Sequence, residues 1–317
     1  DRAALDELEA WLVAARTART AQRLRVGRLG GPFQDMGDFG VDTTRMEGEW
    51  GPHVVRIPVS EFIQALDEIE DDEAESLMAQ DRDRYDIADD VTPEMHRISS
   101  RLECALRRLV ETHRLDAFTM NFSELMADGR CPTLPFLGLN KLMGEGLGYA
   151  GEGDAMTAAL MVQMRHLAGA ATFTEIYTVD YEKDHMMMTH MQECNPALAR
   201  KKGKVRLVRK PFWAPGVEPY VGMHFTLEPQ LITLAALSVD QFGDFFYVAH
   251  QATIVDMAPL ANYDAPHWIV ALDMPVGEFL TRYSMAGGPH HLVAVPGHAN
   301  ETLEKLACLQ GFELRVI

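Results

Sequence analysis

The order of hydrophobic and polar residues divides this chain into two parts. Up to about residue 168, helical spacing alternates with short apolar runs. Helical patterns cover residues 1–22 and 94–113, and strands are predicted at LRVGRLGG (24–31) and HVVRIPVS (53–60). Alternation of helices and strands is typical of an α/β protein, so the first part is predicted to be an open, Rossmann-like sheet of parallel strands.

Other segments of the first part have weaker patterns. Ser60 is predicted to cap a helix that begins EFIQALDEI, because a side-chain oxygen can accept from a free N–H of the first turn. The acidic segment 67–90 is predicted to be a solvated helix or loop. An apolar run, DAFTMNF (116–122), precedes a helix punctuated by proline at 132–146.

From about residue 170 the pattern changes to short runs rich in Thr, Val, Tyr and Phe, separated by turn residues. Such runs predict an antiparallel sandwich or barrel, and one late helix is predicted at 302–309. Small residues at 166–171 interrupt the helical pattern, so the domains are predicted to be 1–168 and 169–317. The runs are TFTEIYTV, HMMMTHMQ, KVRLVRK, VGMHFTL, LITLAALSV, FFYVAHQATIV, HWIVALD and HHLVAVP.

Length and charge support two domains and exclude some partners. A chain of 317 residues is long for a single hydrophobic core. The formal charge is −18, and the longest basic patch, residues 200–210, alternates its charges with Val and Leu as in a sheet with one solvated face. Duplex binding depends on phosphate neutralisation, so nucleic acid is not expected as a partner. No apolar run approaches the length that spans a bilayer, so no membrane partner is expected either.

Cysteine usage indicates a reducing compartment. The four cysteines are scattered without CxxC pairs, which argues against a zinc ribbon or a disulfide framework and favours the cytoplasm. No signal peptide is evident. The chain starts at Asp1 and runs directly into a helical pattern, which favours a portion of a longer protein.

Two stretches place a glutamate where it could carry chemistry. In GLGYAGEGDAMTAALM (146–161), glycines surround Glu152 just before a helix, with Asp154 either capping that helix or orienting Glu152. An ordinary strand-to-helix turn fits equally well, whereas a dinucleotide fingerprint does not. In TFTEIYTV, Glu175 interrupts an apolar strand; facing inwards it would need a partner or a metal ion, and facing outwards it would be a surface acid.

Two further stretches supply histidines. In HMMMTHMQECNP (185–196), His185 and His190 are five residues apart, so neither a helix nor a strand places both on one face. His190 shares its predicted strand face with methionines, as a buried core histidine would. In AGGPHHLVAV, His290 and His291 open a strand, and strict alternation predicts that at most one of them points into a site.

These stretches together resemble the L-arabinose isomerases, within the fucose/arabinose isomerase fold. The resemblance rests on GLGYAGEGDAMTAAL, on TFTEIYT followed by MTHMQECNPALA, and on AGGPHHLV, which occur in the family's order. It extends more loosely over the whole chain. It implies an α/β domain followed by a mostly antiparallel β-barrel domain, and a metal-dependent aldose–ketose isomerase that converts L-arabinose to L-ribulose, or a related aldose, through an enediol proton transfer.

The resemblance also implies a set of site residues. The metal ligands would be Glu152, Glu175, His190 and His291, and the two glutamates would also move protons as catalytic residues. The ion would be Mn²⁺, or another divalent cation such as Co²⁺ or Mg²⁺, and no other cofactor is implied. A homo-oligomer, a trimer or a hexamer, is expected. Family members have a further domain before the point where Asp1 begins and a tail beyond Ile317, and a neighbouring subunit's first domain covers the site.

Other functions stay open from the sequence. The substrate could be another sugar, such as fucose, galactose or a tetrose, since the methionine-rich strand is atypical of the family. A non-catalytic sugar-binding paralogue would keep the fold but lose a ligand, and none of the four is lost. A cupin-like oxygenase would need its two histidines and one carboxylate within the barrel, whereas Glu152 precedes it.

Overall fold

The computed structural model describes residues 2–212 and 217–317, which form ten α-helices and fourteen strands. The helices are α1 Arg2–Ala21, α2 Thr43–Arg45, α3 Val59–Asp67, α4 Asp71–Arg84, α5 Pro93–His113, α6 Phe122–Ala127, α7 Phe136–Glu145, α8 Ala155–Ala168, α9 Val276–Met285 and α10 Asn300–Gln310. The strands are β1 Arg25–Leu29, β2 His53–Ile57, β3 Asp86–Ile87, β4 Ala117–Met120, β5 Gly148–Ala150, β6 Thr172–Asp180, β7 His185–Thr189, β8 Arg206–Lys210, β9 Tyr220–His224, β10 Leu231–Val239, β11 Phe245–Ile254, β12 His267–Ala271, β13 Leu292–Pro296 and β14 Glu313–Val316.

The first part of the chain forms a four-stranded sheet in the order β2-β1-β4-β5. Every pairing in it is parallel, which confirms the predicted Rossmann-like sheet. The chain leaves β1 for β2 on one side, and places β4 and β5 on the other. In open α/β sheets, ligands bind at the carboxyl ends of the strands beside such a reversal. The C-terminal edge of this sheet is therefore where a site is expected.

Six strands of the second part close into an antiparallel barrel. The order around the ring is β10-β13-β6-β7-β12-β11, and β11 pairs again with β10 over nine residue pairs. Because β10 closes back on β11, the structure selects the barrel over the sandwich that the sequence left open. The seventh strand, β14, adds to β11 in parallel outside the ring.

The alternation of side chains explains how the barrel and the first part share a core. On β13, Leu292 and Ala294 belong to the cluster of buried side chains that includes Trp268, whereas Val293 and Val295 pack with the α/β layer. Successive residues of a strand point to opposite faces. Both faces of β13 are therefore buried, one in the barrel interior and the other against the α/β layer. This packing holds the barrel against the parallel sheet.

Three sequence predictions need correction. KVRLVRK and VGMHFTL do form strands, but β8 and β9 pair with each other and with β3 in a separate sheet outside the barrel. Ser60 is not a helix cap, because α3 already begins at Val59 after Pro58. The predicted late helix is present as α10, but α9 precedes it and was not predicted. Among the described residues, no helix is both long and apolar enough to span a membrane.

Candidate metal centre

The four residues singled out as ligands come from four different elements at the junction of the two layers. Glu152 lies in the turn after β5, at the C-terminal edge of the parallel sheet. Glu175 is on β6, His190 directly follows β7, and His291 directly precedes β13. The barrel and the parallel sheet therefore each contribute side chains to one place.

The turn after β5 adopts a backbone that glycine makes possible. Glu152 itself has φ 64°, in the left-handed region that costs a non-glycine residue energy. Its carbonyl accepts a hydrogen bond from Phe33 N–H at 2.9 Å. Gly153 follows with φ 84°. The loop after β1 therefore holds the turn that presents Glu152.

Replacing Gly153 by alanine is expected to destabilise the fold at this turn. A Cβ at Gly153 would lie 2.4 Å from the Gly31 carbonyl oxygen and 2.6 Å from Pro32 Cα, both backbone atoms. The loss should exceed the roughly 1–2 kcal/mol that a positive φ alone costs. Gly129→Ala is the matched control, since Gly129 has φ 76° but no atom within 4 Å of its added Cβ. Equal losses of thermal stability in the two variants would contradict this prediction.

Glutamate oxygens and imidazole nitrogens converge within a few ångströms. His291 Nε2 lies 3.4 Å from Glu175 Oε1 and 3.7 Å from Glu152 Oε2. His190 Nε2 lies 3.8 Å from Glu175 Oε1 and 3.9 Å from Glu152 Oε1. The structure thus brings together all four residues that the sequence singled out.

His290 also faces the carboxylates, so the prediction that at most one of the paired histidines can do so is wrong. His290 Nε2 lies 3.6 Å from Glu175 Oε1 and 3.9 Å from Glu152 Oε2. Ligand atoms of Glu152, Glu175, His290 and His291 all lie within 4.8 Å of one another. The alternation rule applies only within a strand, and β13 begins at Leu292, one residue after the pair.

Each of the three imidazoles has a carboxylate on its other nitrogen. His190 Nδ1 lies 2.8 Å from a carboxylate oxygen of Glu193. His291 Nδ1 lies 2.8 Å from one of Asp154, and His290 Nδ1 lies 2.5 Å from one of Asp38. A carboxylate oxygen accepts, so each Nδ1 carries the proton and donates it. This leaves each Nε2 directed at the cluster, the tautomer that metal-binding histidines commonly have.

Aromatic rings fix the orientation of these imidazoles. Phe173 lies between His190 and His291, with ring centroids 4.6 and 4.7 Å away. Phe39 packs against the paired histidines, with ring centroids 5.2 Å from His290 and 4.9 Å from His291. The donor groups therefore sit against apolar walls, where electrostatic interactions are stronger than in water.

The pKa values show how strongly the site attracts positive charge. Burial alone would lower the pKa of His190, but Glu193, Glu175 and Glu152 outweigh it and raise that pKa to about 9. Burial likewise opposes the protonation of His290, whose pKa nevertheless rises to about 10, chiefly through Asp38. Metal binding needs neutral imidazoles, so a bound cation would take the place of these protons.

Three atoms in the centre are suited to binding a cation. Glu152 Oε2, His290 Nε2 and His291 Nε2 are buried, and none of them has a hydrogen-bond partner within the part of the chain that the structure describes. Buried polar atoms are normally paired, and each exception calls for an explanation. Carboxylate and imidazole together suit divalent ions such as Mn²⁺ and Co²⁺. The donor set therefore fits the metal that the sequence led us to expect.

Other sequence predictions have mixed outcomes. Asp154 Oδ1 does cap α8, accepting from Thr157 N–H at 2.9 Å, but its second oxygen orients His291 rather than Glu152. His185 begins β7, at the end of that strand far from His190. Glu193 and Asp38 were missed. Glu193 follows His190 by three residues, a spacing that could have indicated it, whereas Asp38 is 252 residues from His290 and has no local signal.

Comparisons with known proteins agree with this architecture. Residues 25–170 match the family model of the L-arabinose isomerase central domain. Residues 170–313 match that of the L-arabinose isomerase C-terminal domain. Together the two models account for nearly the whole described chain.

Individual relatives of this chain are named L-arabinose isomerase. An L-arabinose isomerase of Mycolicibacterium smegmatis is 28% identical over 316 residues, covering 96% of this chain and 62% of the relative. One from a Nocardioides species is 29% identical over 321 residues, covering 97% and 62%. One from Clavibacter sepedonicus is 28% identical over 330 residues, covering 98% and 63%. The chain thus spans somewhat less than two thirds of the length of these relatives, and it belongs to the L-arabinose isomerase family.

Proposed function

We propose that this chain is the metal-binding and catalytic part of an aldose–ketose isomerase that acts on L-arabinose or a related aldose. The observation that carries the proposal is the convergence of two glutamates and three histidines. Three of their donor atoms, on Glu152, His290 and His291, are buried without a hydrogen-bond partner among the described residues. Membership of the family supports the same reaction class. An identity of 28–29% to these relatives leaves the sugar itself to experiment.

The proposed metal ligands are Glu152, Glu175, His190 and His291. His290 is a further candidate, because its Nε2 lies as close to both carboxylates as His190 Nε2 does. When bound, a divalent cation supplies Lewis-acid polarisation of the sugar's C1 and C2 oxygens. Mn²⁺ is the proposed ion, with Co²⁺ or Mg²⁺ as alternatives.

Proton transfer is proposed to run through the side chains of the centre. Isomerisation removes a proton from C2 of the open-chain sugar and returns one to C1, while a hydroxyl proton moves between the two oxygens. Glu152 and Glu175 are the proposed carriers, since both carboxylates face the centre from opposite layers. As the alternative to binding the metal, His290 Nε2 is proposed to carry the hydroxyl proton, because Asp38 holds Nδ1 and the His290 side chain is the most exposed of the three, at 35%.

The domain division, oligomeric state and cellular compartment are proposed from membership of the same family. Residues 1–168 and 169–317 are proposed as the two domains, and the two family models support this division because they meet at residue 170. A cytoplasmic homo-oligomer, a trimer or a hexamer, is proposed. Cys104, Cys131, Cys194 and Cys308 are all free thiols, which supports a reducing compartment.

The test is ketose formation by metal-free and metal-loaded protein on a panel of aldoses. We expect a single Mn²⁺ to bind per chain and the activity to fall by at least ~10²-fold when a chelator removes it, with recovery on adding Mn²⁺ back. The panel should contain L-arabinose, L-fucose, D-galactose and a tetrose. A folded protein that binds Mn²⁺ but forms no ketose from any of them would contradict the isomerase and favour a sugar-binding paralogue.

A further inference from the structure

Residues 191–194, which we call the ligand turn, carry the partner of His190. Glu193 is fully buried in it, and its two carboxylate oxygens contact His190 Nδ1 at 2.8 Å and the Tyr149 hydroxyl at 3.1 Å. Met191 has φ 20°, a backbone conformation that is rare for a residue with a side chain. The surroundings must therefore hold this turn in place.

The side chain of Asn140 on α7 binds the ligand turn on both sides of Glu193. Asn140 Nδ2 donates to the Gln192 carbonyl at 2.7 Å. Asn140 Oδ1 accepts from Cys194 N–H at 2.9 Å. One amide thus fixes the two backbone groups that flank the buried carboxylate.

Asn140 is itself anchored from the opposite side. It is fully buried, and the next residue, Lys141, forms ion pairs with Asp81 on α4 and Glu103 on α5 at 2.8 and 2.6 Å. Gly138, two residues before Asn140, packs closely against the backbone of Glu103. A Cβ added at Gly138 would lie 2.9 Å from the Cα of Glu103. Helix α7 is therefore a fixed support from which the Asn140 amide reaches the turn.

We propose that Asn140 is a positioning residue of the metal centre, which holds Glu193 and through it sets the tautomer and direction of His190. The inference rests on the proposed function, because it assumes that His190 Nε2 binds a metal ion. Groups that orient a ligating histidine typically change metal affinity by about 10–100-fold when they are removed. Asn140 acts one contact further out, through the backbone that carries Glu193.

The experiment compares Mn²⁺ binding by the whole chain and by two variants, followed by electron paramagnetic resonance of free Mn²⁺. Asn140→Ala removes both hydrogen bonds. Asn140→Asp is isosteric and keeps the acceptor for Cys194 N–H, but directs an oxygen at the Gln192 carbonyl. We expect both to weaken Mn²⁺ binding at least about tenfold. If Asn140→Ala does not fold, as judged by circular dichroism, the isosteric variant decides.

Asn195→Ala is the matched control for general loss of stability. Asn195 is also buried, and its amide also makes two backbone hydrogen bonds, to Ala171 O and from Ala197 N–H, at 2.8 and 2.9 Å. Those bonds do not flank Glu193, so its Mn²⁺ affinity should stay within about twofold of the wild type while its thermal stability falls.

The outcomes separate the inference from the function on which it rests. Wild-type affinity in a folded Asn140 variant would overturn the positioning role and leave the isomerase proposal standing. An equal loss of affinity in Asn195→Ala would also overturn it, because the effect would then come from general loosening. Failure of the wild-type chain to bind Mn²⁺ would instead contradict the proposed function.

Discussion

Glu175→Gln is expected to lower ketose formation by about 10²–10⁴-fold at saturating Mn²⁺. Glu175 Oε1 is the atom that all three imidazoles share, at 3.4 Å from His291, 3.6 Å from His290 and 3.8 Å from His190. Burial alone would raise the pKa of Glu175, but the three histidines outweigh it and hold that pKa below its ordinary value. The side chain is therefore an anion at neutral pH, and the amide removes both its charge and its ability to accept a proton.

Two measurements are needed to interpret that loss. Mn²⁺ affinity should be measured separately, because a weaker ligand set alone lowers activity only below saturation. Glu182→Gln provides the control, since Glu182 is an exposed glutamate in the turn that follows β6. Its activity should match the wild type. If Glu175→Gln retained kcat within about tenfold at saturating metal, Glu175 would not be a proton carrier.

Local patterns predicted the type of each layer because each layer has a clear period. The parallel sheet reads as apolar runs between helices, and all four residues of β4 are buried as such a run predicts. The barrel strands alternate, so Leu292 and Val293 go to different cores. Which strands close the ring depends on contacts between residues far apart along the chain. Nothing local in KVRLVRK or VGMHFTL separates the strands of the third sheet from those of the barrel.

Residues of the candidate centre could be predicted from the sequence only where a charged residue is unusual among its sequence neighbours. Glu175 interrupts an apolar strand, and Glu152 lies among glycines, so both attract notice before any fold is known. Alternation was extended over the two residues before β13, which allowed only one of His290 and His291 into the site, and the family resemblance selected His291. Asp38 and Glu193 act through contacts with other side chains, and the contact between Asp38 and His290 joins the two layers. A contact of that kind exists only once the fold has formed.

Lys141→Met is expected to destabilise the protein by about 3–5 kcal/mol, the usual effect of removing one partner from a buried ion pair. Lys141 is 5% exposed, and its ammonium group neutralises Asp81 and Glu103, which are 1% and 0% exposed. Methionine fills a similar volume, so the loss reports the removal of a positive charge from between two buried carboxylates rather than a cavity. Asp81 then keeps only His96, and Glu103 keeps only Arg107. Thermal unfolding measures it, with a shift of about 2–4 °C for each kcal/mol in domains of 150–250 residues.

Lys305→Met is the matched control, because Lys305 is also largely buried and also contacts two glutamates. Those partners, Glu7 and Glu301, have side chains that are 51% and 70% exposed, so water can solvate them once the lysine is gone, and a much smaller loss is expected. Equal losses of stability in the two lysine variants would show that burial of the partner carboxylates does not determine the size of the effect.

The effect of Lys141→Met should also depend on pH. Burial alone would raise the pKa of Asp81, but His96 and Lys141 outweigh it and hold that pKa below its ordinary value. A lowered carboxyl pKa contributes stability that is present above the unfolded pKa of about 3.9 and is lost as the pH falls through the folded value. Without Lys141 this contribution shrinks, because the carboxyl then protonates more readily in the folded state. The gap between the free energies of unfolding of wild type and variant should therefore be widest near neutral pH and should narrow as the pH falls below about 4, through the lowered folded pKa of Asp81. A gap that stayed constant over this range would assign the loss to packing instead of charge.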